Sequence, residues 1–163
     1  MTDLTTSEGL RATGFEGFVA VSALRQSGLA AIPDRPGVYV VLRRATEGPR
    51  FLRASPAGQP GGRDPSVPPT DLEGHWLLDA EILYVAQAGG RGLCHRIGQF
   101  LDFGRGMKTA HWGGRLVWQL AGSGALELCW QAVPGRSPWG RKNTLLSAFQ
   151  ARHGTLPFAN ARL

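Results

Sequence analysis

The run VYVVL at Val38–Leu42 places the tightest constraint on how this chain folds. It starts directly after the turn signal DRPG, residues 34–37. A short continuous apolar run rich in β-branched residues and bounded by turn residues reads as a buried strand. A second run of the same character, EILYVA at Glu81–Ala86, supplies another. Buried strands need covering layers, and 163 residues suffice for one domain that provides them. Between the two runs, residues 45–75 are rich in Pro, Gly, Ser and Asp and hold no sustained period. They read as a long surface insertion rather than a second domain.

The covering elements follow from spacing. Leu93, Ile97, Phe100 and Leu101 recur at i, i+4, i+7 and i+8, which predicts a helix over 92–101. Ser137–Pro138 supplies an N-cap and a first-turn proline, Leu145, Leu146 and Phe149 an apolar face, and Gly154 a stop after Arg152 and His153. LVWQL at 116–120 and ALELCWQAV at 125–133 read as strands, and 15–30 as a strand or turn followed by a helix from near Ser22. The expected fold is α/β in the α+β sense, a small mixed sheet flanked by helices. Residues 1–35 form an extension packed on a domain spanning 36–163.

Charge is distributed unevenly. Residues 1–81 carry 8 basic and 10 acidic side chains, a net of −2, whereas 82–163 carry 10 basic against Asp102 and Glu127, a net of +8. A polyanion met by the second half accounts for such asymmetry, and so does a solvated arginine-rich surface. Cys94 and Cys129 fit no zinc spacing and read as a reduced pair. The N-terminus has no basic start followed by an apolar stretch, and no uncharged run reaches membrane-spanning length. The expectation is a soluble, cytoplasmic protein.

Taken together, GVY at 37–39, LYVAQA at 83–88, Arg96 on the following helix and Asn160 in LPFAN resemble the GIY-YIG nuclease superfamily over residues 36–160. The resemblance implies phosphodiester cleavage of nucleic acid, DNA above all, with Mg²⁺ or Mn²⁺ held by a glutamate on a later helix. It further implies Tyr39 as proton acceptor or water positioner, Tyr84 as its orienting partner and Arg96 as phosphate ligand. His111, in TAHWGGR, is a candidate acid, base or phosphate donor, its glycines marking a tight turn beside something bulky. Arg91, Arg105, Lys108, Arg115 and Asn160 are candidate nucleic-acid contacts, with Trp112 and Trp139 available to stack on bases.

The chain departs from that family where activity depends on it. YIG reads YVA, the usual lysine after it is Gln87, and Phe100 stands where some relatives have a histidine. The metal-binding glutamate falls at Lys142, or at Asn143 one register on, and no Asp or Glu follows Glu127. An ammonium has no lone pair for a cation, and Asp102 is the only nearby carboxylate. Three functions stay open: a metal-dependent endonuclease with an unusual ligand set, a nucleic-acid-binding relative, or a metal-free enzyme using Tyr39, Tyr84, Arg96 and Lys142 on a small anionic molecule.

Overall fold

A computed structural model describes residues 1–135 and 137–163 as an α+β fold, with one four-stranded antiparallel sheet in the order β1–β4–β2–β3. The strands are β1 (Glu16–Ala20), β2 (Gly37–Leu42), β3 (Ile82–Ala88) and β4 (Glu127–Ala132). Helices α1 (Ser7–Ala12), α2 (Val21–Ser27), α3 (Pro69–His75), α4 (Gly92–Gly104), α5 (Arg115–Trp118) and α6 (Pro138–His153) surround it. Among the described residues no helix is long and apolar enough to cross a membrane.

Strand β2 lies between β4 and β3, and all six of its residues are buried. Because side chains alternate across a strand, the run can be apolar throughout only if both faces are covered. Tyr39 and Val41 join Ile97, Phe100 and Trp118 in one core layer. Val38, Val40 and Leu42 join Leu10, Leu145 and Phe149 in the other. Residues 1–35 do more than pack on the domain, since β1 is the edge strand hydrogen-bonded to β4.

Two local expectations are corrected. Residues 115–118 form the helical turn α5 rather than a strand, and only Leu120 pairs in β fashion, with Phe51. The run is buried beneath α4, where Trp118 packs 4.6 Å from Phe100, and burial from every side erases the pattern that distinguishes strand from helix. The insertion at 45–75 also has structure. Phe51 stacks on Phe158 at 5.6 Å, α3 buries Leu72, and the buried Gln119 side chain bonds to Leu52 O, Val67 N and Val67 O at 2.8, 2.9 and 2.6 Å.

Candidate functional site

Pairing of β2 with β3 brings the two tyrosines together. Their ring centroids lie 6.4 Å apart, edge to face, with Tyr39 opposite Ala86 in the register. The apolar stripe of α4 lays Phe100 over both, stacked on Tyr84 at 6.0 Å and 5.9 Å from Tyr39. After α4 the chain turns back and returns His111 to the same cluster, only 1 % exposed. Its Nε2 is hydrogen-bonded with the Tyr39 hydroxyl, and its Nδ1 has no partner among the described residues. The tight return depends on glycine. A Cβ on Gly113 would stand 3.2 Å from the Tyr84 hydroxyl, and one on Gly114 would stand 2.7 Å from Phe100 and 3.0 Å from His111 Nδ1.

Burial fixes the charge states. It raises the Tyr39 phenol well above its ordinary range, and the neighbouring Tyr84 adds to this. Tyr84 is pushed up to about 12 by burial, with Arg96 and Arg115 opposing. His111 is pushed down to about 3 by burial and then by the Arg96 charge. At neutral pH the inner cluster is therefore uncharged: two phenols and a neutral imidazole. Tyr39 and His111 have almost no exposed surface, so neither meets a ligand directly.

Tyr84 is where the inner cluster reaches the outside. It lines a cleft of about 370 Å³ with Gly113, Arg115, Lys142, Leu146 and Asn160. Lys142 and Leu146 lie four residues apart on α6, the spacing that puts both on one helix face. Lys142 is half-buried, and its ammonium is lowered from its ordinary pKa by burial and by Arg96. Arg96, expected as the phosphate ligand, does not line this cleft and borders a separate hollow with Arg91. Its Nη1 donates to Gln99 Oε1 at 2.9 Å and to the Ala110 carbonyl at 2.8 Å, so it also ties α4 to the loop carrying His111.

A divalent cation does not fit these residues. No Asp or Glu side chain lines the cleft, and among the described residues no three His, Cys, Asp or Glu side chains stand close enough to share a metal. Lys142, the position where the resemblance implies a glutamate, lines the cleft, and Asn143 does not. Asp102 does not substitute, because it borders a different hollow, beside Arg25 and Arg105.

The remaining expected contacts scatter. Arg115 lines the cleft, whereas Arg91 borders a separate hollow with Arg96 beyond β3. Arg105 lies across α4 beside Arg25, and Lys108 is exposed on the loop after α4. Asn160 lines the cleft but commits its amide elsewhere, accepting from Val85 N at 2.9 Å and donating to Val85 O at 3.0 Å. Arg63 and Arg162 were not anticipated. Arg162 lines the same cleft, and Arg63 reaches Trp112 from the insertion, where no periodicity marked it. The chain matches no protein-family model, no curated protein and no solved structure.

Proposed function

We propose that this protein is a divergent relative of the GIY-YIG nucleases that binds the phosphate backbone of nucleic acid, DNA in the first instance, without metal-dependent cleavage. The observation that carries the reading is the cleft beside Tyr84, which gathers Lys142 and Arg115 and no Asp or Glu side chain. Such a cleft attracts a phosphodiester and repels the cation that hydrolysis in that family requires. Arg115 offers a planar fork for phosphate oxygens, Lys142 a compact charge, and Tyr84 a hydroxyl that stays protonated and donates. Trp139, 66 % exposed and one helical turn before Lys142, adds a surface on which a base can stack.

Incubation with duplex and single-stranded DNA tests this reading. Mobility shifts that persist in EDTA and weaken steeply with salt are expected, and the DNA should stay intact in Mg²⁺ or Mn²⁺. Cleavage that EDTA abolishes would overturn the reading. The cleft volume of about 370 Å³ also favours a second reading, a metal-free enzyme on one small anionic molecule. That reading requires a small phosphate ester to compete fully with any polyanion.

A further inference from the structure

The insertion at 45–75 builds a second cleft beside the first. Arg63, Ser66, Asp71, Trp112 and Arg115 line this space of about 290 Å³, so Arg115 belongs to both clefts. The Arg63 guanidinium lies 4.1 Å from the Trp112 ring centroid and that of Arg115 lies 4.9 Å from it. Two like charges thus converge on one indole. Neither is in an ion pair among the described residues, although Asp64 and Asp71 share the lining. The Asp64 carboxylate is turned to the Ser66 backbone N–H at 2.9 Å. Arg115 donates to the carbonyls of Trp112 and Leu163, which leaves three of its five N–H groups without a partner among the described residues. Arg63 is exposed and makes no side-chain hydrogen bond within the described residues. Two guanidiniums packed on one indole, one of them solvent-exposed, present donor forks that a phosphate can bridge.

From this arrangement we infer that the insertion supplies a second phosphate subsite, and that the ligand is a chain of at least two linked phosphates bridged by Arg115. One phosphate lies by Tyr84 and Lys142, and the next lies by Arg63. The inference rests on the nucleic-acid reading above and narrows it, because a ligand with a single phosphate fills only the first cleft.

Fluorescence anisotropy with a labelled single-stranded oligonucleotide and with a labelled mononucleotide, across a NaCl series, tests it. Arg63→Ala is expected to weaken the oligonucleotide several-fold and to cut the slope of log K against log salt by about 0.7, the value for one single-strand phosphate. Mononucleotide binding should not change. Arg63→Gln, which keeps a chain of similar length over Trp112, should give the same loss, and Arg63→Lys should restore the slope. If the wild type binds neither ligand, the nucleic-acid reading itself fails. If it binds the oligonucleotide and Arg63→Ala leaves the slope unchanged, or weakens the mononucleotide equally, the second subsite alone is overturned.

Discussion

At the scale of single residues, Tyr39 and His111 form a buried hydrogen-bonded pair whose contribution to stability can be tested directly. Both side chains are almost wholly buried, and each is held in its neutral form by that burial. Tyr39→Phe leaves the imidazole with no partner and is expected to cost roughly 1–3 kcal/mol in denaturant unfolding. DNA binding at neutral pH should change little, because neither group reaches the cleft. The same burial makes stability depend on acid. His111 has a folded pKa of about 3 against 6.5 when free, so the unfolded chain binds the proton more readily between those values. Stability from this group is complete above pH 6.5 and declines as pH falls toward 3, by roughly 2 kcal/mol at pH 5. Urea unfolding at the two pH values measures the loss, and His111→Phe should flatten it. The pairing spans 72 positions and leaves no trace in local pattern. TAHWGGR showed only that a tight turn was needed there.

At the scale of elements, legibility followed burial geometry. β2, β3 and α6 were readable because one period or one apolar run, closed by turn residues, had a single structural solution. α5 was not, because Leu116, Val117 and Trp118 are buried on every side and carry no phase. Lys142 was legible as an anomaly through its spacing from the Leu145–Leu146 pair, and the structure places it in the cleft wall. Arg63 was not legible, since tertiary packing of the insertion alone brings it to Trp112. Gln119 holds that insertion in place through three backbone bonds at Leu52 and Val67. Gln119→Ala is expected to destabilise the fold by roughly 2–4 kcal/mol and to expose residues 52–67 to limited proteolysis. If the protease pattern stays unchanged, the strap is not what orders the insertion. The turn before α5 is equally constrained. Gly114→Ala presses a methyl against Phe100 at 2.7 Å, and a loss of roughly 1–3 kcal/mol in thermal or urea unfolding is expected.

For the whole molecule, the sheet supports two layers of different polarity. An uncharged layer of Tyr39, His111 and Phe100 packs around Tyr84, and Arg115 and Lys142 line the cleft outside it, with Arg96 at a separate hollow. The basic excess of the second half of the chain, +8 over residues 82–163, is consistent with that outer layer, although Arg105 and Arg152 are neutralised by Asp102 and Asp3. In the proposed function, Lys142 binds phosphate in a cleft that needs no metal. The most direct test is anisotropy of a labelled DNA duplex in EDTA across a NaCl series, comparing wild type with Lys142→Ala. Both proteins are expected to bind, with the variant weaker and its salt slope smaller by about 0.9. Binding that appears only when Mg²⁺ is added, or a slope that Lys142→Ala leaves unchanged, would contradict it.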